Sequence, residues 1–138
     1  MNIKILFYKI FFKLYKLGVS SINIEELHSI YEELRYTIND YNDKNLSKLF
    51  NDENNFIKEF VFLFTYFELG LFINDELIFD NPIFIPHIID SYPKESEAAI
   101  NLSHYMYHLF LQNRTLKKVT KIWIFSYFLF FYNIHIFL

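Results

Sequence analysis

The chain contains no cysteine and only two glycines among its 138 residues. The lack of cysteine excludes a disulfide framework, a thiolate nucleophile and a zinc site of the finger type. Phosphate-binding loops need several glycines, because backbone N–H groups must come close to the phosphate. Gly18 and Gly70 each follow a predicted helix, which excludes a P-loop and a dinucleotide-binding loop. The sequence also has no HExxH motif and no serine flanked by glycines, as a nucleophile elbow requires.

Charges of the two signs are segregated along the chain. Residues 1–17 and residues 113–138 contain no acid, and each range carries four basic residues. All 16 acidic residues lie between these ends together with five basic residues, so the middle has a net charge of −11. Basic ends of this kind favour a membrane surface, a nucleic acid or the acidic middle of the same chain as their partner. The predicted basic surface consists of Lys9, Lys13, Lys16, Lys117, Lys118 and Lys121.

Apolar residues make up 53% of the chain and aromatic residues 22%, which is far above the usual aromatic share. Part of this excess reflects an AT-rich genome, because Phe, Tyr, Ile, Asn and Lys are frequent while Gly, Ala, Pro and Arg are scarce. The length suits one domain with a sizeable core.

Hydrophobic periodicity predicts helices over 3–17, 24–38, 56–69 and 93–112. The second is predicted to begin at Asn23 as its N-cap, with Glu26 three residues on as in a capping box. The third is apolar in nearly every direction apart from a strip of Lys58, Thr65 and Glu68, which predicts a buried helix that ends in a left-handed Gly70. Two apolar runs around Asn74, Asp75 and Glu76 predict a hairpin, and residues 19–22 are predicted to be extended. The predicted class is mainly α (α+β), with a helical core, one small β-hairpin and two C-terminal helices.

The last 17 residues, 122–138, have only three polar interruptions and follow a basic stretch. This pattern fits a C-terminal membrane anchor, and equally a terminal helix buried in this protein or in a partner. The residues predicted to make the interaction are Trp123, Tyr127, Phe128, Phe131 and Tyr132.

Two partial metal motifs occur. Glu25 and His28 form one half of a di-iron Glu-x-x-His pair, but the chain has no second copy. His104 and His108 lie one turn apart, with Glu97 as a conceivable third ligand, on a helix face whose polarity is explained by solvent alone. We therefore expect no catalytic residue, no metal and no cofactor.

The passages LYKLGVSSINIEEL (14–27) and FTYFELGLFINDELIF (64–79) resemble the winged-helix superfamily in their order of elements. The resemblance implies a winged-helix-like core over residues 1–90, followed by a helical extension over 91–138. It makes residues 56–69 the recognition helix and the hairpin the wing. A DNA reader would present basic or amide side chains there, whereas this chain offers Lys58 against Glu59 and Glu68, with Asp75 and Glu76 at the hairpin tip.

The sequence therefore favours a non-enzymatic interaction module or accessory subunit, whose partner is another protein or a second copy. One alternative is a small membrane-anchored subunit with residues 122–138 in the bilayer. The other is a winged-helix DNA-binding regulator or antitoxin-like protein, although nucleic acid is the less expected partner. The expected location is the cytoplasm, or a membrane contacted through the C-terminal helix.

Overall fold

The computed structural model describes residues 1–90 and 95–116. These residues form a mainly helical structure with one small antiparallel sheet, which confirms the predicted fold class. The helices are α1 (Ile3–Lys16), α2 (Ile24–Asn39), α3 (Lys44–Leu49), α4 (Glu53–Tyr66), α5 (Pro86–Asp90) and α6, which covers residues 95–116. The strands are β1 (Ser21–Asn23), β2 (Gly70–Ile73) and β3 (Glu76–Phe79).

The first four helices begin at asparagine or aspartate caps. The side chains of Asn2, Asn23, Asp43 and Asp52 each accept a hydrogen bond from a backbone N–H in the first turn. Asn23 also forms the predicted capping box with Glu26, whose Oε1 accepts from the Asn23 N–H at 3.1 Å. These caps satisfy N–H groups that a helix leaves unpaired at its start.

The ends of α1 and α4 have the same geometry, with a left-handed residue after the last turn. Gly18 (φ 94°) follows α1, and the Val19 N–H bonds back to the Leu14 carbonyl at 3.0 Å. After α4, the left-handed residue is Glu68 (φ 54°), where glycine would be expected. The prediction that Gly70 holds this position is wrong, because Gly70 is the first residue of β2.

The sheet has the order β1–β3–β2, and both pairings are antiparallel. The predicted hairpin is confirmed, with Asn74 and Asp75 as its two turn residues. Both have positive φ (52° and 59°), as tight hairpins with the right-handed twist require. The extended piece predicted before α2 contributes β1, so the hairpin gains a third strand. The side chain of Leu77, on the central strand, is completely buried.

The core is built largely from phenylalanine on α1 and α4. The rings of Phe11 and Phe60 lie 4.9 Å apart between centroids in an edge-on arrangement, and both side chains are completely buried. Edge-on aromatic pairs stabilise a core beyond the area that they bury. The apolar side of α6, including Leu102, Met106 and Phe110, packs into the same cluster.

Candidate interaction surface

One side of α4 remains exposed, although its sequence predicts burial in nearly every direction. Phe62 is 52% exposed and Tyr66 is 56% exposed, and their rings stack with centroids 5.8 Å apart. Lys58 and Thr65 are exposed on the same side. We call these four residues the outer face of α4. The core covers only the opposite side of the helix, so the prediction of a fully buried α4 is wrong.

The exposed aromatic pair is continuous with the packed interior. The Tyr66 ring lies 5.3 Å from the Phe67 ring, which in turn lies 4.8 Å from the buried Tyr8. Lys4 places its ammonium 5.0 Å from the centre of the Tyr66 ring, a cation–π contact. These neighbours restrict the position of Tyr66, so the outer face of α4 presents an ordered aromatic surface.

Strand β2 exposes apolar side chains as well. Leu71, Phe72 and Ile73 are 50%, 42% and 49% exposed. Since side chains alternate along a strand, Phe72 lies on the same side of the sheet as its cross-strand partner Leu77, which is buried. Leu71 and Ile73 lie on the opposite side. The strand therefore has apolar side chains on both of its faces and is fully covered on neither.

The surroundings of these side chains are acidic. From Glu59 to Asp90 the sequence contains six acids and no lysine or arginine. They include Glu68 at the start of β2 and both Asp75 and Glu76 at its far end. The hairpin thus combines exposed apolar side chains with a negative charge that would repel phosphates.

The opposite edge of the sheet is covered by an ion pair whose carboxylate is buried and whose arginine is partly exposed. The Arg114 Nε donates to Glu26 Oε2 at 2.7 Å, and its Nη2 donates to the Ser21 carbonyl of β1 at 2.8 Å. The carboxylate of Glu26, which is 7% exposed, and its hydrogen bond raise the pKa of Arg114. The sequence pattern around Glu26 indicates only a capping residue. The lone arginine near the end of α6 was the available signal, but periodicity could not indicate its partner.

The predicted basic surface is not present on α1 as expected. Lys9 is 3% exposed, and its Nζ lies 2.6 Å from Ser96 Oγ of α6. Burial lowers the pKa of Lys9, although Glu95 and Asp90 act in the opposite direction. Lys13 is half-buried and Lys16 is exposed, with its ammonium 5.2 Å from the centre of the Phe12 ring. The prediction of a solvated lysine face that includes Lys9 is therefore wrong.

Lys9 and Lys13 line a groove of about 720 Å³ between α1, α5 and α6. Most of its wall is apolar, including Phe12 and Phe84, and two acids, Asp90 and Glu97, also face it. Because the lysines are matched by acids of equal number, the groove has no net charge that would select an anion or a cation.

The histidines of the two partial metal motifs lie apart from each other. His28 Nδ1 is 2.7 Å from Glu53 Oε1, whereas His104 and His108 are exposed on α6. In the part of the chain that the structure describes, no three His, Asp or Glu side chains are grouped so that they could hold a metal ion.

The predicted tail contacts and three of the predicted basic residues lie outside the described residues. They are Trp123, Tyr127, Phe128, Phe131, Tyr132, Lys117, Lys118 and Lys121. Within residues 1–90 and 95–116, no helix has the length and apolar character needed to cross a membrane.

Comparison with known proteins finds no family model, no curated protein and no solved structure that matches this chain.

Proposed function

We propose that the chain is a non-enzymatic protein–protein interaction module that serves as an accessory subunit of a larger complex. The observation that carries this proposal is the outer face of α4, where Phe62 and Tyr66 stack while each is more than half exposed. Exposed aromatic pairs of this kind are typical of binding sites, because aromatic side chains bury a large area and lose little conformational freedom.

The order of elements supports a winged-helix-like core for this module. The hairpin of β2 and β3 follows α4, which has the place of a recognition helix, and β1 completes a sheet with the order β1–β3–β2. The side chains on that helix favour a protein over DNA, because its outer face carries one basic residue, Lys58, and two exposed aromatic rings. The acidic hairpin favours the same conclusion.

The proposal is tested by placing a photo-crosslinking phenylalanine analogue at position 62 in the organism that encodes the chain. We expect a discrete covalent adduct with one protein. The matched control is the same analogue at Tyr36, an aromatic residue on α2 that is 68% exposed and lies among charged neighbours. An adduct that forms at Phe62, fails at Tyr36 and decreases in a Tyr66→Ser background would support an interaction surface. Equal adducts at both positions, or none at Phe62, would contradict it.

The replacements at positions 62 and 66 should leave the fold intact, so that a change in the adduct reports on binding. Because about half of the Phe62 side chain is buried, we expect Phe62→Ser to lower the free energy of unfolding by about 1 kcal/mol, too little to unfold the chain.

A further inference from the structure

The two edges of the sheet differ in how their backbone groups are satisfied. Along β1, the backbone groups of Ser21 and Asn23 point away from β3, and side chains bond to two of them. Arg114 donates to the Ser21 carbonyl, and Glu26 accepts from the Asn23 N–H. Edge strands that are covered in this way cannot pair with another chain.

Strand β2 has no such cover. The backbone C=O group of Leu69 and the N–H and C=O groups of Leu71 and Ile73 point toward β3. The bond from the Asp80 N–H to the Leu69 carbonyl and the register of the hairpin show this. Because hydrogen bonding alternates along an antiparallel strand, the N–H and C=O groups of Gly70 and Phe72 point outward. We call these groups the β2 edge. Among the described residues, no side chain bonds to them, and the strand has no proline, lysine or bulge to block pairing.

We infer that the β2 edge binds an extended segment of a partner protein, which adds a fourth strand and has an apolar centre with basic residues on both sides. This inference rests on the proposed role as an interaction module. The apolar centre would pack against Leu71 and Ile73, which are about half exposed on the outer side of the sheet. The backbone of Phe72 would provide the main-chain hydrogen bonds, as in other cases of strand addition.

The charges at the two ends of β2 select the partner. Glu68 precedes the strand, Asp75 and Glu76 follow it, and no lysine or arginine lies between Lys58 and Lys94. A lysine or arginine at each end of the added strand would therefore lie near an acid, whether the added strand runs parallel or antiparallel to β2.

A second copy of the chain fits this edge poorly. An antiparallel pairing of two β2 strands centred on Phe72 would bring Glu68 of each copy close to the hairpin turn of the other, which carries Asp75 and Glu76. Like charges that are brought close together destabilise a strand pair. The same acids that attract a basic segment thus disfavour a symmetric dimer through β2.

The experiment uses the full chain, labelled with ¹⁵N, and two synthetic peptides with the same Val-Thr-Val-Thr-Val centre. One peptide has two lysines on each side and the other has two glutamates on each side. We expect the lysine peptide to bind about tenfold more tightly, because several opposite-charge pairs replace like-charge pairs. The amides of Gly70 and Phe72 should show the largest shift changes and should become protected from hydrogen exchange.

Three variants test the geometry. Phe72→Pro removes the outward N–H while leaving the bonds to β3, since proline is tolerated at such edge positions, and it should abolish binding. Phe72→Val keeps the N–H and should retain binding, which controls for the loss of the ring. Glu68→Lys combined with Glu76→Lys should reverse the preference toward the glutamate peptide.

The inference is overturned if the lysine peptide shifts no β2 amide, if it binds Phe72→Pro as well as it binds Phe72→Val, or if the chain alone associates through β2. If the chain alone associates through β2, the partner of the β2 edge is a second copy or the chain's own basic segment after Arg114. A lack of peptide binding with an intact adduct at Phe62 would remove only the β2 inference. The loss of the Phe62 adduct would instead remove the proposed function.

Discussion

At the scale of single residues, Lys9 departs most from what its sequence pattern indicates. On a helical wheel it belongs with Lys13 and Lys16, and a lysine every turn is typical of a solvated face. The structure instead places α6 over this side of α1, so that Lys9 is 3% exposed and contacts Ser96. Periodicity reports which residues share a side of a helix, but it cannot report which element will cover that side.

The burial of Lys9 has a consequence for stability at alkaline pH. Because burial lowers its pKa in the folded chain below the ordinary value of 10.5, the unfolded chain binds this proton more tightly. Between the two pKa values, stability must therefore rise with pH. Burial raises the pKa of Tyr31 and Tyr41, which has the opposite effect above about pH 10. A variant that lacks only the lysine separates the two effects.

We expect the free energy of unfolding of the natural chain to increase relative to that of Lys9→Met as pH rises from about 8 to about 10.5. Urea unfolding across this series measures the difference. Lys9→Arg is the control, since arginine stays charged throughout the range and should also lack the gain. Parallel curves for the natural chain and Lys9→Met would show that Lys9 is not buried in its charged form.

At the scale of elements, the start and end signals were the most reliable guides. The capping box at Asn23, the left-handed Gly18 and the Asn74–Asp75 turn are all local, since each depends on a few neighbouring residues. Longer-range features were not predictable in the same way. The pairing of β1 with β3 joins residues more than fifty positions apart, and the exposure of Phe62 depends on how many neighbours surround α4.

The two glycines illustrate this difference, because they are required for unrelated reasons. Gly18 has a φ of 94°, and a Cβ there would meet no atom within 4 Å. Gly70 does not have a left-handed φ, but a Cβ there would lie 1.8 Å from the Ile78 carbonyl oxygen of β3. The first glycine serves a local turn, whereas the second allows two strands to approach each other.

We therefore expect Gly70→Ala to destabilise the chain by roughly 3 kcal/mol or more, because backbone atoms must separate. Gly18→Ala should cost only about 1 kcal/mol, the strain of a left-handed alanine. Urea unfolding measures both values. Gly18→Asn should recover most of the smaller loss, since asparagine tolerates this conformation. Equal costs at the two positions would argue against the close strand contact at Gly70.

At the scale of the whole molecule, the segregated charges are partly used within the chain. Of the basic residues on α1, Lys9 faces Glu95 and Asp90, while Lys4 and Lys16 lie over aromatic rings. Arg114, from the other basic end, bonds to Glu26 of the acidic middle. Pairing within the molecule, one of the three partners considered for the basic ends, therefore applies to Arg114, and Glu95 and Asp90 favour the charged form of Lys9.

The pair of Arg114 and Glu26 holds three elements together, because it joins the end of α6 to both α2 and β1. Removal of the arginine would leave the Glu26 carboxylate buried without its cation. The side chain of Arg114 is 42% exposed, so solvent screens part of the interaction. We expect Arg114→Met to cost about 1–2 kcal/mol, less than the loss from breaking a fully buried pair. Arg114→Lys should recover only part of this, since lysine cannot bond to the carboxylate and the Ser21 carbonyl in the same fork geometry.

A double-mutant cycle distinguishes the interaction of Arg114 with Glu26 from a simple loss of packing. If the two groups act as a unit, Glu26→Gln combined with Arg114→Met should cost clearly less than the sum of the single changes. Additive costs would instead mean that α6 is held by its apolar side alone. Hydrogen exchange gives an independent readout, because loss of the arginine should loosen Glu26 and let the outward Asn23 amide, which donates to Glu26, exchange faster while the inward Ile22 amide stays protected. Faster exchange at both amides would indicate that the whole sheet opens, and that the arginine stabilises the fold rather than covering one edge.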